Sequence, residues 1–321
     1  MSCMACSAPT SLLPTLFLAT VSFVVFVVLL YDAGANRGSR WAATLVGGAI
    51  FGFAVEWLNT QTGGGHIYCY PTVPFFDMFG VPWWVALGWG SVIYASTWTA
   101  QRLQLPPLGQ AIAAAFLAVS VDFSLDPVAE LFGFWDWQCF PVSFFDVPYD
   151  NYIGWYLIVF VYALTTPWVL GRLRSSWFLP PGQPATTKSF VLQWLLPLLC
   201  ALVAVVVLVA VKALLGSFTN LGVDNGKTAA AIFVVLTLVG GFVTFWLGAR
   251  NVVLSTPPAV NWPVIIAPAV IHVACYVLFL STGFTFSPFS FVGWTSESAL
   301  VASIPIQLLS GLFVFTTPWR R

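Results

Sequence analysis

Charge is what this sequence has least of. Only 11 Lys and Arg and 11 Asp and Glu occur in 321 residues, 7% of the chain, where a soluble protein carries about 25%. So few charges cannot cover a water-facing surface, which excludes a soluble enzyme. The two signs cancel to a net charge of zero, so no overall field draws the chain to nucleic acid. Six cysteines in a chain of this length do not make a secreted disulfide scaffold. Phosphate-loop chemistry is missing too, because Gly63-Gly64-Gly65 lacks the Lys and Ser/Thr that complete such a loop. Cys3 and Cys6 form a lone CxxC with no second pair and no nearby histidine, a weak zinc motif. No other His/Cys cluster suggests a metal, and no Ser-His-Asp arrangement is visible.

What the chain has instead is grease. Hydrophobic residues make up 59% of it, with 29 Phe and 16 Trp, so its partners are expected to be membrane lipid and an apolar ligand. A hydrocarbon crossing takes about 20 apolar residues. Such runs cover residues 12–31, 41–58, 81–100, 108–125, 152–170, 190–215, 228–247, 262–280 and 299–315. The expected fold is an all-α, polytopic membrane bundle of nine helices. The first run has no Lys or Arg before it, so it reads as a retained span and not a cleavable signal.

Loop charges set an orientation. Arg37, Arg40, Arg102, Arg172, Arg174, Lys188, Arg250, Arg320 and Arg321 all fall on one side of a nine-span chain, leaving Lys212 and Lys227 for the other. Basic loops face the cytoplasm. The N-terminus is therefore expected outside and the C-terminus inside, in a bacterial plasma membrane or the endoplasmic reticulum. Residues 173–189 contain Pro180, Pro181 and Pro184 and read as a cytoplasmic linker. It divides a five-span part, 1–172, from a four-span part, 190–321.

The first part contains a repeat at an offset of 70 residues: Cys69-Tyr70-Pro71 matches Cys139-Phe140-Pro141, Gly63 matches Gly133, and Glu56 falls on Asp126. Phe75-Phe76-Asp77 returns as Phe144-Phe145-Asp146, and Val81-Pro82 as Val147-Pro148. Each copy, about 41–100 and 108–170, is a span, a long aromatic loop and a returning span. An even number of spans separates them, so the copies have parallel topology, and each brings a carboxylate to the outer end of its first helix. Cys69 and Cys139 occupy equivalent outer-loop places and are candidates for a disulfide.

Four ionisable side chains fall inside the nine spans: Glu56, Asp122, Lys212 and His272. Charge at membrane depth is costly, so each is a functional candidate. Glu56 has no basic neighbour in sequence and reads as an unpaired carboxyl in an apolar site, which favours the proton-carrying form that a general acid needs. Asp122, Asp126 and Glu130 are four apart, as on one helical face. Pro127 argues for a different local structure, in which the span ends near Leu125 and Asp126 caps a short helix begun by the proline. His272 reads as a polar contact between helices. Lys212 reads as snorkelling to the interface. Tyr68, Tyr70, Trp135, Trp137 and Trp155, with Trp57 and Asn151, are candidates for the wall of a substrate pocket.

A carboxylate pair, an aromatic wall and a greasy cavity suffice for proton addition to an isoprenoid double bond. One acid delivers the proton, π faces shield the tertiary cation, and a second carboxylate positions water. These parts also carry a family resemblance. Glu56, Gly65-His66-Ile67-Tyr68-Cys69-Tyr70 and Gly80-Val81-Pro82 resemble the first signature of the membrane carotenoid hydratases, of the bisanhydrobacterioruberin hydratase and carotenoid 1,2-hydratase type. The second signature is similar to Asp122 through Asp126-Pro127, then Gly133-Phe134-Trp135-Asp136-Trp137, then Val147-Pro148-Tyr149-Asp150-Asn151-Tyr152-Ile153-Gly154-Trp155. The match spans 52–155 and implies cofactor-free hydration of the terminal double bond of a linear carotenoid. Three alternatives stay open. A terpene cyclase would trap the same cation with an internal alkene. An intramembrane prenyltransferase would use Asp122, Asp126 and Glu130 for a magnesium-diphosphate, though basic partners are few. A proton-coupled transporter would use the repeats for alternating access.

Overall fold

The computed structural model describes residues 12–61, 68–70, 77–137, 143–144, 147–181, 183, 187–215, 221–248, 250 and 262–281. Eight α-helices account for most of them. They are α1 (Leu12–Tyr31), α2 (Ser39–Gln61), α3 (Trp83–Arg102), α4 (Pro107–Leu131), α5 (Tyr149–Arg172), α6 (Thr187–Leu215), α7 (Leu221–Gly241) and α8 (Trp262–Ser281). Helix α1 runs on as a π-helical segment over Asp32–Arg37, and α7 does so over Phe242–Gly248.

Among the described residues, six helical stretches are long and apolar enough to cross a membrane: Leu12–Arg37, Ser39–Gln61, Pro107–Glu130, Tyr149–Arg172, Val191–Leu214 and Thr228–Gly248. This is an all-α membrane protein. Two further expected spans are present as helices of a different character. Helix α3 is rich in Trp, Ser and Thr, and every residue from Trp89 to Ala100 is buried, so protein rather than lipid surrounds it. Helix α8 has a shorter apolar stretch, Ile266–Cys275. The expected ninth span, 299–315, lies outside the described residues.

Packing follows the chain order of the first part. Helices α2 with α3, and α4 with α5, form two antiparallel pairs, and α3 packs on α4 to join them. Helix α6 lies against α2 and α5, α7 against α5 and α4, and α8 against α1, α3 and α4. Small residues allow these approaches. Gly90 faces Ala49 and the Leu45 carbonyl so closely that an added Cβ would stand 2.9 and 3.0 Å from them. The Tyr162 hydroxyl donates across to the Thr44 carbonyl at 2.8 Å, tying α5 to α2. Outward faces carry lipid-compatible side chains such as Leu202, Val206 and Leu238.

Basic residues gather at one end. Arg37 pairs with Asp32 at 2.8 Å, and the guanidiniums of Arg37 and Arg102 lie 4.8 and 4.4 Å from the Trp98 ring centroid. There Ser39 exchanges two hydrogen bonds with Leu179, through its backbone N–H at 3.1 Å and its Oγ at 2.8 Å.

Among the described residues, the other end carries six short strands. These are β1 (Tyr68–Cys69), β2 (Asp77–Met78), β3 (Val81–Pro82), β4 (Asp136–Trp137), β5 (Ser143–Phe144) and β6 (Val147–Pro148). Strands β2–β3 and β5–β6 are antiparallel hairpins, and both end in Val-Pro running directly into a helix. The first turns through Phe79 and Gly80, with φ of 54° and 82°, as a two-residue hairpin requires. Strand β1 pairs with β4, Tyr68 opposite Trp137 and Cys69 opposite Asp136. The two long loops of the repeat are thus hydrogen-bonded to each other. Cys139 lies outside the described residues, as does the expected bond from Cys69 to it.

Helix α4 corrects one expectation. It runs unbroken from Pro107 to Leu131 with Pro127 inside it, so Asp126 is a mid-helix residue and not the cap of a new one. Proline in a helix interior forfeits a backbone bond and costs about 3 kcal/mol. Buried contacts on every side hold the helix through it, with Val128 and Ala129 at 1% and 0% exposure. The helix ends at Gly133, whose φ is 63°. Phe134 N–H donates to the Ala129 carbonyl at 2.9 Å and Gly133 N–H to Glu130 at 3.0 Å, the paired bonds of a Schellman stop. Helix α5 likewise begins earlier than its apolar run, at Tyr149, immediately after Pro148.

Candidate active site

A cavity of about 330 Å³ opens between the two helix pairs, near the hairpin end. Its wall is mostly apolar, built from α3 and α5 with contributions from every other helix. Glu56 and Asp126 both reach it, from α2 and α4. The repeat placed these two in register, and the fold brings them to one space.

Glu56 is 7% exposed. Trp89 Nε1 donates to its Oε1 at 2.7 Å and the Tyr70 hydroxyl to its Oε2 at 3.0 Å. The sequence expectation of an unpaired carboxyl is therefore overturned: aromatic donors far away in the chain serve both oxygens. Helix α2 admits Trp89 because residue 52, one turn before Glu56, is glycine. An added Cβ there would lie 2.3 Å from Trp89 Cβ and 2.5 Å from its Cγ.

Asp122 and Asp126, at 0% and 1% exposure, lie one turn apart on α4 as the spacing of four predicts. Their carboxyl groups turn toward the same side-chain amide. Asn151, in the first turn of α5, clamps both. Its Nδ2 donates to Asp122 Oδ2 at 3.1 Å and to Asp126 Oδ2. Asp126 faces the cavity, whereas Asp122 stands behind it, outside the wall.

Aromatic rings form one side. Trp89 and Trp155 meet at 4.1 Å between centroids, tilted by 31°. Trp135 stacks with Trp84 at 6.4 Å and meets the edge of Tyr70 at 6.0 Å. All five line the cavity. Trp57 does not. It projects from another face of α2, 41% exposed and outside the cavity wall, as an aromatic at a lipid interface does. Tyr68 and Trp137 are placed through their backbones in the β1–β4 ladder, and the side chains of Tyr68, Trp137 and His272 are outside the described set.

Lys212 corrects a further expectation. Rather than reaching away to the interface, it enters the cavity wall from α6. Its Nζ donates to Asn59 Oδ1 at 3.4 Å, three residues along α2 from Glu56. With Asp150, also in the wall, these groups give the cavity a polar margin. Trp89 and Trp84 are further site residues that the sequence reading missed. For Trp89 a signal existed: Gly88-Trp89 and Gly154-Trp155 stand at equal distances after Val81-Pro82 and Val147-Pro148. Among the described residues, no group of three or more His, Cys, Asp or Glu is arranged to hold a metal ion.

A family model described as "Carotenoid biosynthesis protein" matches residues 14–223, from α1 to the start of α7. No curated protein and no solved structure matches the chain. The match covers every residue named above in the wall up to Lys212 and extends well beyond the two signatures read from the sequence. On that evidence the chain belongs to the carotenoid biosynthesis family, as a membrane protein.

Proposed function

We propose that this protein hydrates the terminal double bond of a linear carotenoid, without a cofactor, by acid-initiated addition inside the cavity. One observation carries the reading: two separate carboxyl systems, Glu56 and Asp126 with Asp122, share one aromatic-walled, apolar space. Hydration needs a proton donor and a group to receive the proton that the attacking water loses. Between those steps a tertiary cation must be held, and the electron-rich faces of Trp89 and Trp155 suit it. The volume, about 330 Å³, is at the small end of ligand sites, which run from about 300 to 1,000 Å³. It suits one end of a long polyene, the rest of which lies in lipid. Asn59, Asp150 and Lys212 offer water a polar way in from the hairpin end.

In the membrane we place the chain as a multi-pass protein with the Arg37–Arg102 end in the cytoplasm and the cavity mouth on the outer side. Residues 1–172 supply the carboxyl groups, and the later helices close the wall.

The test is a product assay in membranes given linear carotenoids and no added cofactor. A product heavier by one water, absent when the terminal double bond of the substrate is saturated beforehand, is the expected result. A product of unchanged mass and altered retention would replace hydration by cyclisation, in which an internal alkene captures the cation. No product under either criterion would end the reading.

A further inference from the structure

Glu56 and the Asp122–Asp126 pair stand in opposite hydrogen-bonding environments. Both Glu56 oxygens accept, from Trp89 Nε1 at 2.7 Å and the Tyr70 hydroxyl at 3.0 Å. An indole N–H can only donate, and an ionised carboxyl can only accept, so this setting fits the carboxylate. Lys212, which donates to Asn59 three residues along α2 from Glu56, brings a basic group to the same cavity. Asp122 and Asp126 instead share one donor, Asn151 Nδ2, through their two Oδ2 atoms in a fully buried setting. Two buried carboxyl groups held this close around one donor disfavour double ionisation, so the pair keeps a proton between them. Asn151 donates to an oxygen of each and holds the pair together. Of the two, Asp126 lines the cavity and Asp122 does not.

We infer that Asp126 is the acid that protonates the alkene, Asp122 the positioning residue that keeps the shared proton available to it, and Glu56 the base that receives the proton from attacking water. This assignment rests on the hydration reading above and gives its two carboxyl systems fixed roles. In the first step the Asp126 O–H bond breaks, and the π electron pair forms a C–H bond at the less substituted alkene carbon. That leaves a tertiary cation beside Trp89 and Trp155. In the second step the water oxygen bonds to the cation and Glu56 takes a water proton. The sum is alkene plus water giving a tertiary alcohol. Glu56 ends protonated and Asp126 ionised, and one proton passed back through cavity water restores both.

The test uses the full chain in lipid nanodiscs with a linear carotenoid in deuterium oxide, following deuterium in both the alcohol and the recovered alkene. The wild type forms alcohol with deuterium beside the carbinol carbon. Glu56→Gln lowers alcohol formation at least about 100-fold yet places deuterium in the terminal isopropylidene group of recovered alkene. Protonation and its reversal through Asp126 survive in that variant. Asp126→Asn gives neither product, while still binding the polyene, as read from induced circular dichroism of the bound chromophore. Asp122→Asn loses deuterium uptake and Asp122→Glu restores it, which a merely space-filling role would not produce. Deuterium uptake that persists in Asp126→Asn and vanishes in Glu56→Gln would reverse the assignment. Equal loss of both signals in both variants, with polyene binding intact, would overturn the division of roles while leaving hydration standing. A wild type that yields neither alcohol nor deuterated alkene would refute the hydration reading itself and this assignment with it.

Discussion

Replacing Gly52 by alanine tests how the site is built without touching a polar group. Gly52 is not part of the cavity wall, but its missing side chain is the space that Trp89 fills. The new methyl would stand 2.3 Å from Trp89 Cβ and 2.5 Å from Cγ, so the indole must withdraw from α2. Overpacking of this kind costs about 1–3 kcal/mol in stability. Withdrawal also pulls the indole N–H from Glu56, a bond of 2.7 Å, and separates the ring from Trp155, now at 4.1 Å. A hydrogen bond to a charged group is worth about 1.5–3 kcal/mol, and each 1.36 kcal/mol expressed in the transition state is about tenfold in rate. The expected loss is therefore about 10- to 100-fold in initial rate of alcohol formation, measured in membranes at matched protein level. Gly48→Ala, one turn earlier, is the control. Its methyl would meet Ile93 Cγ2 at 3.3 Å, a side-chain methyl able to give by a few tenths of an ångström, so the rate stays within about twofold. A Gly52→Ala enzyme with the wild-type rate would refute the claim that Trp89 must sit where it does for Glu56 to work.

Four other variants separate the wall of the site from its surroundings. Trp57→Ala changes the rate by no more than about twofold, because this exposed ring lies outside the cavity, whereas Trp155→Ala lowers it at least tenfold or so through loss of its π face; product formation by the two variants side by side is the check. Gly154→Leu directs a side chain into the cavity, since an added Cβ there meets nothing within 4 Å. The protein should keep its thermal stability and lose polyene binding, measured by chromophore titration. Lys212→Met keeps the long stem and removes the charge, and is expected to slow hydration about tenfold with unchanged membrane insertion; an unchanged rate would remove Lys212 from the site.

The bundle was legible because lipid leaves so few choices. Apolar runs marked most helices, and the 70-residue offset brought Glu56 and Asp126 into correspondence before any contact was known. What periodicity could not supply was how buried polar groups find partners across long stretches of chain. Glu56 looked unpaired because its donors are 33 and 14 residues away. Trp57 looked like a wall residue by adjacency to Glu56, yet successive helical residues point about 100° apart. Lys212 looked like a snorkelling lysine because its sequence neighbours are all apolar, and only α6 packing on α2 brings it to Asn59. Pro127 was misread through local preference, where a buried helix overrode a cost of about 3 kcal/mol.

The central claim is that a linear polyene places its terminal alkene between two carboxyl systems of opposite role. The most direct measurement is a cryo-electron microscopy structure of the Glu56→Gln protein in nanodiscs with a linear carotenoid bound. The terminal isopropylidene group is expected inside the cavity, its less substituted carbon within reach of Asp126 and its methyl-bearing carbon beside the Trp89–Trp155 pair. A polyene bound with that end group in lipid, or at the Arg37–Arg102 end of the bundle, would contradict it.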